Sequence, residues 1–157
     1  MALVYMHGVE ENGYNGAIIS DWKQAMTNSP FKLPAINEEV SLNKIKQICE
    51  HFDLPELWQK IEKDPPAMAF KSDGCTMWPN ETNGKNIYQA CFLHDLKYWA
   101  GHPGEDVERL IADAELMIDV ARIRGSTKIA ETMFHGVRLG GNENLRQAFS
   151  WGFGRIL

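Results

Sequence analysis

The chain has 157 residues, 44% of them apolar and 24% charged, a composition that fits one globular domain with a core of ordinary size. A formal charge of -5 without a Lys/Arg block argues against nucleic acid as a partner and disfavours strongly anionic membranes, leaving neutral or cationic surfaces open. No apolar run approaches the ~20 residues of a spanning helix, and MALVYMHGVEENG has neither the basic start nor the continuous apolar stretch of a secretion signal.

Residues 1–16 are rich in Gly and Asn without a sustained period and read as a loosely docked arm. From Ala17 to Thr27, Ile18, Ile19, Trp22, Ala25 and Met26 recur at helical spacing, and NSP stops that helix. FKLPAINEE connects to a helix capped by Ser41, with Leu42, Ile45, Cys49 and Phe52 in one stripe. On that stripe Cys49 reads as a small buried apolar residue. Leu54, Leu57, Trp58 and Ile61 predict a short helix beginning near Pro55 and closed by KDPP.

The following segment, AMAFKSDGCTMWPNETNGKN, carries Gly, Pro and Asn at intervals that speak against regular structure. Its large apolar members, Met68, Phe70, Met77 and Trp78, either bury under the loop or line an opening. A helix from about Ile87 to Ala100 follows, and at roughly 100° per residue it places Cys91, His94, Asp95 and Tyr98 within one arc. After GHPG, a second long helix runs from about Glu105 to Arg124, with Val107, Leu110, Ile111, Ala114, Met117, Ile118 and Ala121 as its inner stripe. Asp113 falls at the edge of that stripe and Asp119 opposite it, so Asp113 is expected inside and Asp119 outside. Ser126 starts a last substantial helix with Ile129, Ala130, Met133, Phe134 and Val137 inward, ended by Gly-Gly. The tail reads as one short helix and a docking strip. Strand-period alternation is lacking, and the fold class is all-α with loops.

If the two long helices pair antiparallel through GHPGE, His94 and Asp113 stand at similar heights, at about 1.5 Å per residue. A carboxylate there fixes the imidazole tautomer and lets the other ring nitrogen take a proton from water. Asp95 is adjacent, and Asp73 lies beside Gly74, which allows a tight turn. Carboxylates with loop carbonyls are hard oxygen ligands of the kind calcium (Ca2+) takes, and a cation there would polarise an ester carbonyl. A Cys75–Cys91 bridge would pin this loop against the His94 helix, at about 3 kcal/mol for a loop of roughly 16 residues.

These residues resemble the secreted phospholipases A2, most closely the bacterial and fungal branch. The likeness covers about residues 70–122: DGC in the loop, Cys91-x-x-His94-Asp95-x-x-Tyr98 on the first helix, and Ala112-Asp113 on the second. The resemblance implies His94 as general base, Asp113 as its orienting partner, and Tyr98 as the support of that aspartate. It also implies Asp73, Asp95 and the Gly74 carbonyl as calcium ligands, a phospholipid or membrane surface as peripheral partner, and a secreted or periplasmic location. The glycine-rich YGCYCG loop of the animal enzymes is absent, and SDGCTMWP is nearer the sparse bacterial loop.

Two other readings stand beside it. One keeps the fold and the loop as a calcium- or lipid-binding module without turnover; the other makes Cys75, Cys91, His94 and Asp95 a tetrahedral zinc site. His7, His51, His102 and His135 lack comparable neighbours and read as structural. Arg138, near a helix end beside glycines, suits either a phosphate or the helix dipole.

Overall fold

The computed structural model describes residues 31–156; the predicted arm over 1–16, the predicted helix over 17–27 and His7 lie outside them. The chain divides into two compact units at Leu33, and the fold set out below is that of the second. It is mostly helical: the described residues form six α-helices and one two-stranded sheet. None of these helices is long and apolar enough to cross a membrane.

Helix α1 (Leu42–His51) opens where the Ser41 hydroxyl accepts the Lys44 N–H at 3.2 Å, satisfying one of the free donors of the first turn. Ile45, Ile48 and Cys49 are buried, whereas Leu42, expected on the same stripe, stays exposed at the helix start. Burial, with the nearby Glu50 charge, pushes the free Cys49 thiol up to about 11. Helix α2 (Pro55–Lys63) begins on Pro55, whose missing N–H costs nothing at that position, and buries Ile61. Between α2 and the site, Phe70 is fully buried and packs 5.4 Å from both Phe92 and Trp99, while its carbonyl accepts the Val40 N–H.

The loop is not wholly irregular, which corrects the sequence reading. Glu81–Thr82 (β1) and Lys85–Asn86 (β2) pair antiparallel across Asn83 and Gly84, both at positive φ (52° and 71°). Asn-Gly is the dipeptide that a two-residue hairpin turn favours, so a local signal overrode the apparent absence of period.

Helix α3 (Tyr88–Ala100) is buried on several sides, from Cys91 and Phe92 through His94 to Trp99 and Ala100. Such a helix shows little amphipathic contrast because it has neighbours all round. Helix α4 (Asp106–Arg124), closed by Gly125 in the left-handed region, packs against α3 and against α5 (Thr127–Gly140). Ile87, Cys91, Leu116, Val120, Ala130 and Met133 are buried together where these three meet, and the Cys75–Cys91 disulfide joins the loop to them.

The face that α4 turns inward differs from the expected one. Arg109, Ala112, Asp113, Leu116 and Val120 are buried, while Val107, Leu110, Ile111 and Ile118 are exposed. The helix is turned by about 140° from the orientation that apolar counting favours. The inward face is held by the hydrogen bonds of Asp113 and Arg109, which a count of apolar side chains does not register. On α5, Ala130 and Met133 are buried but Ile129 is exposed, and the Ser126 side chain caps nothing. The tail continues through a 3-10 turn (Glu143–Leu145) to α6 (Phe153–Ile156), which packs on α3.

Candidate functional site

His94 is nearly buried on α3, and its Nε2 stands 2.7 Å from Oδ1 of Asp113 on α4. The Tyr98 hydroxyl, one turn further along α3, donates to the same oxygen at 2.6 Å, and its ring lies 4.3 Å from the imidazole. Asp113 has no exposed surface. Its second oxygen, Oδ2, accepts from Nη1 of Arg138 at 2.7 Å. Arg109, buried on α4, donates through Nε to the Tyr98 hydroxyl at 3.3 Å and through Nη2 to the carbonyls of Val137 and Arg138.

Burial pushes the Asp113 carboxyl up, but the hydrogen bonds from His94, Tyr98 and Arg138 outweigh it and hold the group below its ordinary range. Burial lowers the His94 pKa, against the opposing pull of Asp113, so the ring is neutral at neutral pH. Burial raises Tyr98, and the Asp113 charge adds to the rise; its proton stays on the phenol. Among the described residues Arg124 Nε is the one sealed side-chain nitrogen or oxygen without a partner. Nδ1 of His94 has no hydrogen bond there either, and therefore opens on the cavity that the ring lines.

That cavity has a volume of about 240 Å³. Its walls come from the loop (Gly74, Met77, Trp78), from His94 and Asp95, from Leu116 and Met133, and from Gly136 and Gly140 of α5, with Phe149 at the tail. Met77 is 90% exposed, so the loop's large apolar residues split: Phe70 buries, whereas Met77 and Trp78 line the opening.

The proposed cation side is assembled less completely. Asp95 Oδ2 accepts the Ser72 hydroxyl at 2.5 Å, and that hydroxyl oxygen accepts the Gly74 N–H at 3.1 Å. Burial raises the Asp95 carboxyl well above its ordinary value; Ser72 opposes the rise and the Asp73 charge adds to it. No ion pair engages Asp95 among the described residues, and its side-chain partner is the Ser72 hydroxyl. Asp73, by contrast, is exposed and accepts the Thr76 hydroxyl at 3.1 Å. Gly74 has φ +81°, and a Cβ there would stand 2.8 Å from Oδ1 of Asn80, which accepts the Cys75 N–H; the turn requires glycine. Among the described residues no three His, Cys, Asp or Glu side chains converge as a metal cluster.

The structure thus joins His94, Asp113 and Tyr98, places Asp95 beside them, and pairs Asp73 with Thr76. The zinc reading falls, because Cys75 and Cys91 are bonded to each other and offer no thiolate. His102 lies near Asp64, 3.7 Å away, and His135 meets Phe134 edge-on; neither reaches the site. Sequence reasoning missed Ser72 and Arg109, read Gly141 only as a helix end, and gave Arg138 other roles. The spacing of Arg109 and Asp113, one helical turn apart on one face, was the available signal. No family model matches the chain, and no curated protein or solved structure matches it.

Proposed function

We propose that this chain hydrolyses a phospholipid acyl ester in a calcium-dependent reaction of the phospholipase A2 type, with His94 as general base. The observation that carries the reading is the buried His94–Asp113 hydrogen bond, joined at the same oxygen by Tyr98, beside a largely apolar cavity. With Nε2–H committed to Asp113, Nδ1 keeps its lone pair toward the cavity. A water there gives a proton to Nδ1 while its oxygen adds to the ester carbonyl. The tetrahedral species then collapses, the lysophospholipid oxygen leaves with that proton, and a fatty acid remains. General-base assistance of this kind is worth about 10²- to 10⁴-fold in rate. Calcium would be held by Asp95 and loop carbonyls near Gly74, with Asp73 adding charge, and would supply positive charge to the ester oxyanion.

Met77, Trp78 and Phe149, exposed at the cavity, suit contact with a lipid surface, and the chain's charge of -5 favours a neutral one. The disulfide supports an oxidising compartment, secreted or periplasmic.

The test is fatty-acid release from phosphatidylcholine vesicles with and without chelator, for the wild type and His94→Gln. The expected outcome is release by the wild type alone, lost on chelation, with the variant lower by at least about 10²-fold. Equal release in all four assays, or none from any lipid, would overturn the reading. The pairing of Asp73 with Thr76 favours a second reading, a lipid-binding module without turnover. Vesicle binding with no fatty acid released identifies it.

A further inference from the structure

The Arg138 guanidinium does not line the cavity, and it is committed to the one carboxylate that touches His94. That carboxylate is fully buried, and the Arg138 guanidinium is in direct contact with it at 2.7 Å. Oδ1 is filled by His94 and Tyr98, and Oδ2 by Arg138. An aspartate's terminal torsion is broad and nearly two-fold, so a carboxylate gripped at one oxygen alone can swing about its Cβ–Cγ bond. A grip at both oxygens stops that motion.

We infer that Arg138 is a positioning residue: from α5 it holds Oδ2 of Asp113, so that Oδ1 stays directed at His94 and Tyr98. The place of Arg138 is itself fixed from α4. Arg109 donates to the carbonyls of Val137 and Arg138 at 3.1 and 2.6 Å, and to the Tyr98 hydroxyl, so the two arginines tie α4 and α5 together in opposite directions. Gly141 completes the arrangement, because a Cβ there would meet Tyr98 at 2.6 Å. The GVRLGG segment thereby gains a role: it brings a cation to the back of the His94–Asp113 pair and leaves room for Tyr98. This role rests on the hydrolase reading for its effect on rate, but its effect on His94 can be read without turnover.

The experiment compares wild type, Arg138→Gln and Arg138→Lys by two measurements. The first is the imidazole 15N spectrum of His94, assigned by its absence in His94→Gln, which reports which ring nitrogen carries the proton. The wild type is expected to be predominantly Nε2–H, Arg138→Gln a mixture of tautomers, and Arg138→Lys intermediate. The second is the rate on phosphatidylcholine: in Arg138→Gln kcat should fall about 10- to 100-fold with KM nearly unchanged, and Arg138→Lys should recover part of it. A folded Arg138→Gln with the wild-type tautomer and kcat, or one in which KM alone rises, overturns the inference, as does a wild type that is not predominantly Nε2–H. Should Arg138→Gln not fold, a folded Arg138→Lys with wild-type spectrum and kcat assigns Arg138 to folding alone and overturns it equally. A protein that releases no fatty acid yet changes tautomer in Arg138→Gln defeats the hydrolase reading and leaves the positioning role standing.

Discussion

Gly141 and Gly136, five residues apart at the end of α5, answer opposite demands. A Cβ at Gly141 would stand 2.6 Å from the Tyr98 ring and 2.6 Å from the Val137 carbonyl, both packed and unable to yield. At Gly136, which lines the cavity, a Cβ meets nothing within 4 Å. Gly141→Ala is therefore expected to cost about 1–3 kcal/mol by overpacking and to push Tyr98 off Asp113. Gly136→Ala should instead stabilise α5 by about 0.5–1 kcal/mol, since glycine is the poorer helix former. Urea midpoints decide it: equal shifts for both would refute the assigned packing. At this scale the sequence was legible where a residue's chemistry is unusual for its setting. His94, Asp95 and Tyr98 share an arc of one helix, and a histidine flanked by carboxylates stands out. Arg138 was not legible, because an arginine near a helix end has an ordinary electrostatic explanation, and its partner lies 25 residues away.

Among the elements, α4 carries the clearest lesson. Its extent was readable from caps and composition, but its rotation was not. Apolar counting assumes that the inward face is the greasy one, whereas here two charged residues, Asp113 and Arg109, are buried and satisfy their hydrogen bonds with neighbours on α3 and α5. The hairpin at Asn83-Gly84 was overlooked for the reverse reason: its signal is two residues long, too short for any periodicity. The Cys75–Cys91 link was legible from its placement: Cys75 lies two residues after Asp73 and Cys91 one helical turn before His94, so a bridge pins the loop against that helix. With a sequence separation of 16, that bridge should contribute about 3 kcal/mol. The double variant Cys75→Ser/Cys91→Ser is expected to lose about that much in urea unfolding while retaining the helical circular dichroism. A loss under about 0.5 kcal/mol would mean that the loop is already ordered in the reduced chain.

For the molecule as a whole, the fully buried Asp113 carboxylate makes acid sensitivity a readable property. The Asp113 carboxyl is held below its ordinary 3.8 in the fold, so the unfolded chain takes up that proton first as the pH drops. Its contribution to stability is complete above about 4 and is lost as the pH falls through the folded value. Urea midpoints taken between about pH 5 and pH 2.5 should show this decline in the wild type and a shallower one in Asp113→Asn. Parallel declines would place the acid-sensitive groups elsewhere.

The Trp151 side chain closes this region from behind. Its indole N–H donates to the His102 carbonyl at 2.8 Å, and its ring meets the Tyr98 ring edge-on at 5.2 Å. The same ring borders a second, wider hollow of about 910 Å³ between α2 and α4, with the Lys60 ammonium 5.9 Å from its centre. One indole therefore touches the buried hydrogen-bonded network through Tyr98 and the hollow through Lys60, so a disturbance on either flank reaches the same ring.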